Sequence, residues 1–338
     1  MDDDESAYRL SGANQGGNAE TRLRPYKGRG FFVFLGPWAT CCWRARTIGS
    51  ELERTEIDDG KERSVRMLAK LMLQDEVLYQ EDFIQDEVSY NLIHLLAGSP
   101  QNIGLKSPDG RMIFAQSPRG NAWLWISRQV SGDKRQHLLQ ELVSELEGVT
   151  LPGVTGEPDV AEQFARCYAE ERHETYRLHM TMESYHAPAV KPPQFVEGTI
   201  RQAAAEDTQQ VARFLVGFSE DAYGVRANAA SQVETAQRLI QQGGLYLWIA
   251  GRKAVSMANA AHRSPRHGRI NAVYTPRAER KKGYASALVA DLGLRLLQDG
   301  LVPMLYADQA NPDSNRLYQH IGFSRCGTIR DFKFVNNE

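Results

Sequence analysis

Four basic residues, Arg277, Arg280, Lys281 and Lys282, precede Gly283 in "YTPRAERKKGYASALV", and small or aliphatic residues follow it. The strand-like run "RINAVYT" ends at Pro276, which cannot continue a ladder. A helix signal starts after Gly283, with Ala285, Leu288, Val289, Leu292 and Leu296 at helical spacing. Strand, basic loop and helix N-terminus together can bind an anion. First-turn N–H groups lack intrahelical partners, the macrodipole is positive there, and a glycine leaves room for close approach. Neither GxxxxGK[ST] nor GxGxxG occurs in this stretch. By itself it fits a phosphate cradle and a solvated basic loop equally well.

A second segment, "LYADQANPDSNRLYQHIGF", supplies further chemistry. Asn311 stands at an N-cap position with Pro312 at the following N1, a strong helix start, and Gly322 ends the helix. Ser314, Leu317 and Tyr318 fall on one side at three- and four-residue spacing, so Asn311 and Tyr318 can both face the point where the preceding strand leaves its neighbour. The competing reading of Tyr318 is a packed core tyrosine whose hydroxyl is bonded locally.

The elements that must position these residues follow from period and breakers. Apolar spacing predicts a helix over 65–96, then strands "NIGLKS", "RMIFAQS" and "AWLWIS", a helix at 134–147, a helix from Pro158 to Glu171, and the strand "ETYRLHMTMES". "YHAPAVKPPQF", with three prolines, predicts an extended interdomain linker. Beyond it come a strand "GTIRQA", an amphipathic helix "AEDTQQVARFLVGF", a helix at 230–242, and strands "LYLWIA", "AVSMANAA" and "RINAVYT", the last two antiparallel neighbours.

Composition narrows the function. The 338 residues, 42% of them hydrophobic, suffice for two domains with cores. With 40 Lys and Arg against 42 Asp and Glu the net charge is -2, which argues against nucleic acid or an acidic membrane as partner. The four cysteines lack zinc-ligand spacing. His173-Glu174 and His179 are read as surface residues of a charged helix, since six residues advance a helix by about 600° and separate the imidazoles. The apolar run at 31–43 is too short to cross a bilayer, and a cytoplasmic location is expected. The first 60 residues lack an apolar period and are expected to be disordered, with Met67 or Met72 as an alternative start.

The signature Arg280-x-x-Gly283-x-Ala285, with "INAVYTP" before it and "NPDSNRLYQHIGF" after it, resembles the acetyl-CoA-binding core of the GNAT superfamily of N-acetyltransferases. Upstream, "FIQDEVSYNLIHLL" and "LPGVTGEPDVAEQFARCYAEE" resemble two-domain bacterial members, so the resemblance covers about residues 66–336. It implies an α/β fold with a mixed sheet, a degenerate GNAT-like domain over 63–190 and a catalytic GNAT domain over 196–338, after the extension over 1–62 that composition sets apart. Acetyl-CoA would be the acyl donor, without a metal. The backbone from Lys281 through Lys282, Gly283, Tyr284, Ala285 and Ser286 would take the pyrophosphate, with Arg280 and Lys282 adding charge. Main-chain groups of Ala272, Val273 and Tyr274 would pair with pantetheine and polarise the thioester carbonyl, and Asn311 would bond the pantetheine arm. Tyr318 would protonate the departing thiolate while a neutral amine attacks directly.

The glutamate that many family members carry on the strand matching Ile270 to Thr275 is absent. Glu220 and Asp221, in "FSEDAYG" after the first helix of the second half, are the candidate bases, a water chain is the alternative, and each carboxylate alone reads as a solvated loop charge. The first half has Gly120 in "SPRGNAWLWIS" but no helix directly after it, and is expected to cover a sheet edge or shape the amine pocket. The rival functions are a non-catalytic coenzyme A-binding sensor and an interaction protein without cofactor. The acceptor, a small-molecule or peptide amine, is left open, as is the oligomeric state.

Overall fold

The structure is a computed structural model and describes residues 68–335. The expectations for residues 1–60, the apolar run at 31–43 among them, lie outside these residues.

The first half contains β1 (Ala69–Lys70), α1 (Glu81–Tyr90), α2 (Leu92–Ala97), β2 (Ile103–Lys106), β3 (Met112–Gln116), β4 (Ala122–Ile126), α3 (Gly132–Glu145), β5 (Gly153–Gly156), α4 (Pro158–Arg172) and β6 (Thr175–His186). The second contains β7 (Thr199–Gln202), α5 (Thr208–Tyr223), α6 (Ala229–Gln241), β8 (Leu245–Ala250), β9 (Lys253–Arg263), β10 (His267–Tyr274), α7 (Tyr284–Gln298), β11 (Val302–Asp308), α8 (Pro312–His320) and β12 (Ser324–Val335). Among the described residues one sheet runs in the order β1-β2-β3-β4-β5-β12-β6-β11-β10-β9-β8-β7.

The order strand, strand, strand, helix, strand, helix, strand occurs twice, as β2 to β6 and as β8 to β12. In each run one neighbouring pair is parallel, β4 with β5 and β10 with β11. The last strands are exchanged: β12 lies between β5 and β6, and β6 lies between β12 and β11. Each run therefore completes its sheet with the other's final strand. The proline-rich stretch after β6 stays close to this seam, with the Ala187 N–H donating to the Pro303 carbonyl and that of Lys191 to Ile321.

On one face of the second half, α7 packs Leu288, Val289 and Leu292 against Ile270 and Leu305. On the other, α5 and α6 bury Val211, Phe214, Leu215 and Leu239 against Leu247 and Met257. In the first half α1 and α2 cover Ile113, Trp123 and Trp125, with Tyr306 of β11 at the border of that cluster. The alternation of β11 puts Leu305 and Tyr306 on opposite faces, so α1 and α2 lie on the side away from α7.

Three local expectations are corrected. The helix expected over 65–96 begins only at the 3₁₀ turn Glu76–Tyr79, because Leu71 donates its N–H to Gly104 and holds this segment on the sheet edge, while Asp75 caps the turn by accepting from Val77. Glu220 and Asp221 belong to the last turn of α5 rather than to a loop, since the helix continues to its left-handed stop at Gly224. His173 is the left-handed C-cap of α4 and His179 lies on β6, so the two imidazoles do not share a helix.

Candidate active site

β10 and β11 are parallel partners only at His267↔Val302, Gly268↔Pro303 and Arg269↔Met304. Both strands continue, to Tyr274 and Asp308, without further pairing. Two other features hold the gap open. β11 stays tied to β6 through Asp308↔Met182, whereas β10 follows β9 through register shifts at Arg269/Ile270 and between Asn271 and Tyr274. Ala272, at the second shift, has φ 49, a left-handed conformation found at bulges. Main-chain groups of Ala272 to Tyr274 thus stand at a wedge where β10 and β11 are not paired.

α7 starts at the rim of this wedge. Lys281 (φ 64) and Gly283 (φ 83) turn the chain, no side chain caps the helix, and its first internal bond runs from the Ala287 N–H to the Gly283 carbonyl. The N–H groups of the first turn therefore face outward without a cap, the arrangement that binds phosphate. A Cβ on Gly283 would stand 2.9 Å from Val196 Cγ2, so the glycine also lets the loop lie against the segment before β7.

The four cations are already engaged. Arg277 and Arg280 both bind Asp221, Lys281 Nζ lies 3.1 Å from Asp313 and Lys282 Nζ 2.7 Å from Glu279. Arg280 also donates to the Thr275 carbonyl at 2.9 Å, which clamps the loop to the end of β10. Side-chain charge is thus balanced locally, and the anion-binding capacity rests with the backbone. Burial works against the Asp221 carboxylate, but the two guanidiniums outweigh it and hold its pKa below the usual range. That makes Asp221 a weak base. Glu220 is exposed one residue away, with no carboxylate-binding partner of this kind.

Asn311 caps α8 by accepting the Ser314 N–H at 3.1 Å, which commits Oδ1 and leaves Nδ2 to donate. Tyr318 is 7% exposed, between Tyr185 and Phe323, whose ring centroids lie 6.3 and 6.0 Å away. It belongs to the buried cluster that also holds Tyr284, Ala287, Leu305 and Ala307. No described residue bonds its hydroxyl, and burial alone pushes the phenol well above its ordinary pKa. The local bond expected of a purely structural tyrosine is not made.

Several polar residues of this region carry no sequence motif. Asp308, at the end of β11, shares a face with Tyr306 and accepts the Ala310 N–H at 2.9 Å. Glu87 of α1 is fully buried, 2.5 Å from Arg266 Nε, with His94 Nε2 at 2.8 Å and His267 Nδ1 at 3.4 Å, both off the line of the ring N–H. Burial would raise its pKa, yet the contacts with His267, His94 and Arg266 outweigh burial and hold it far below normal. Elsewhere, a groove of about 640 Å³ lies at the C-terminal ends of α6 and α7, lined by Gln242, Tyr246, His262, Arg295 and Asp299. None of Ala272, Gly283, Asn311 or Tyr318 reaches it. Among the described residues no group of His, Cys, Asp and Glu is placed to hold a metal, and no helix is long and apolar enough to cross a membrane.

Comparison with known proteins bears on the fold. Residues 246–330 match the family model described as FR47-like protein. A structure of a Drosophila protein solved by structural genomics is 14% identical, covers 80% of this chain and 99% of its own, and superposes with a TM-score of 0.54. A GCN5-related N-acetyltransferase from Kribbella flavida is 13% identical, covers 77% and 97% respectively, and gives a TM-score of 0.50. No curated protein sequence matches the chain. The described chain thus shares its fold with this GCN5-related N-acetyltransferase, and its residues 246–330 are similar to the FR47-like model.

Proposed function

We propose that the chain is an acetyl-CoA-dependent N-acetyltransferase whose catalytic half is 196–338. The observation that carries this reading is the wedge between β10 and β11 opening beside the uncapped start of α7, with the unbonded Tyr318 hydroxyl packed behind it. The first-turn N–H groups from Gly283 to Ser286 take the pyrophosphate, and pantetheine enters the wedge as an extra strand against Ala272 to Tyr274. Asn311 Nδ2 donates to its amide carbonyl. One main-chain N–H at the Ala272 bulge polarises the thioester carbonyl, where negative charge develops.

The amine nitrogen attacks the carbonyl carbon, the C–S bond breaks, and the electron pair leaves with sulfur. Tyr318 passes its proton to that thiolate, a role suited to a phenol held protonated by burial. The proton lost by the amine goes to Glu220 or Asp308, the carboxylates near the wedge that are not engaged by arginine, and returns to Tyr318 through solvent. α1 and α2 of the first half close the face away from α7 and complete the acceptor side.

The test is a thermal-shift titration with acetyl-CoA followed by thiol release in the presence of an amine panel. Acetyl-CoA at 100 times its dissociation constant should add about 2.7 kcal/mol of stability. No shift would remove the proposal, and a shift without thiol release for any amine would reduce it to coenzyme A binding.

A further inference from the structure

Arg269 is the last residue of β10 that pairs with β11, so it stands at the point where the wedge opens. Its cross-strand partners are Met304 and His262, which share its face, the one away from α7. It is 7% exposed, and its Nε is buried without a partner. The chain's other engaged guanidiniums nearby are paired, Arg266 with Glu87 and Arg280 with Asp221. Among the described residues no carboxylate pairs with Arg269: its titratable neighbours are the neutral phenols of Tyr306 and Tyr223.

A buried guanidinium without a counter-ion is costly, and its planar fork matches a carboxylate. The surroundings favour an incoming anion over an internal one. Burial, together with Arg269 and His94, lowers His262 to about 4, so the imidazole beside the guanidinium is neutral at pH 7 and free to accept or donate. Tyr306 is fixed from behind by donating to the Ser89 carbonyl at 3.2 Å, and Tyr223 of α5 stands at the rim with 37% of its surface open. Tyr318 and the thiol leaving path lie on the α7 face. The amine must then approach from the face that Arg269 occupies.

We propose that the acceptor is an amine bearing a carboxylate, an amino acid or a close relative, and that Arg269 binds this carboxylate at the apex of the wedge, where the two strands part. The proposal rests on the transferase reading above and specifies its substrate class.

The experiment compares matched acceptors with the full chain and acetyl-CoA: a panel of α-amino acids, and for each the corresponding decarboxylated amine and primary amide. The carboxylate should favour transfer by on the order of 10²-fold in kcat/KM, the range of a charge-assisted hydrogen bond. Arg269→Gln should raise KM for the amino acid, erase the preference among the three acceptors and leave acetyl-CoA affinity unchanged, while Arg269→Lys should recover part of the preference. If the glutamine variant does not fold, the wild-type acceptor comparison decides alone. Equal or better transfer to amine and amide overturns the assignment of Arg269 and leaves the transferase intact. Absence of transfer to every acceptor overturns the transferase and this assignment with it.

Discussion

Replacing Tyr318 by Phe separates the proposed chemistry from packing, because the two effects have separate readouts. The ring belongs to the buried cluster with Tyr284, Ala287, Leu305, Ala307 and Phe323, which phenylalanine fills equally. The hydroxyl makes no hydrogen bond to a described residue, so its loss breaks none. Removing it should leave the urea midpoint unchanged or higher. Loss of a general acid, by contrast, lowers kcat by about 10²–10⁴-fold, or roughly 3–5 kcal/mol of activation free energy. Thiol release at saturating acetyl-CoA measures the second effect and urea denaturation the first. A variant with wild-type kcat and about 1 kcal/mol less stability would refute the reasoning, since the hydroxyl would then be a structural bond.

Three further outcomes follow from particular contacts. Gly283→Ala forces a side chain into a left-handed conformation, at about 1–2 kcal/mol, and places its Cβ 2.9 Å from Val196 Cγ2, so acetyl-CoA should bind roughly tenfold more weakly by calorimetry. Glu87→Gln leaves Arg266 without its buried counter-charge and should lower stability by about 3–5 kcal/mol in urea, with no change in the KM for acetyl-CoA of the folded fraction. Asp331 is raised to about 6 because burial outweighs Lys333 and Asn121. The native state therefore holds its proton more tightly than the unfolded chain, and stability falls as pH rises from about 4 to about 6, by roughly 3 kcal/mol in all. Asp331→Asn should remove this loss, so melting curves of variant and wild type should diverge across that window and run parallel above it.

What the sequence made legible was local. Pro158 and Pro312 at N1, Asn311 at an N-cap and Gly283 before α7 all occupy their predicted places, because capping is decided within a few residues. The strand order "LYLWIA", "AVSMANAA", "RINAVYT" was readable for the same reason. The exchange of β6 and β12 was not, since both are ordinary alternating strands and their pairing depends on residues such as Thr181 and Arg330, far apart in sequence. Leu68 and Leu71 fit a helical period as well as a sheet edge, and only the bond from Leu71 to Gly104 decides between them. The bulge at Ala272 has no marker, because alanine there replaces the glycine that positive φ usually requires. Charges were the least legible: Arg266, Arg269 and Arg280 look alike in the sequence, yet two are paired and one is not.

The most direct test is a crystal structure of the chain with coenzyme A. The account predicts pyrophosphate oxygens within hydrogen-bond distance of the N–H groups of Gly283 to Ser286, pantetheine between β10 and β11 against Ala272 to Tyr274, and the thiol beside the Tyr318 hydroxyl. Coenzyme A seated instead in the groove lined by Tyr246, His262 and Arg295, with the wedge left empty, would contradict it.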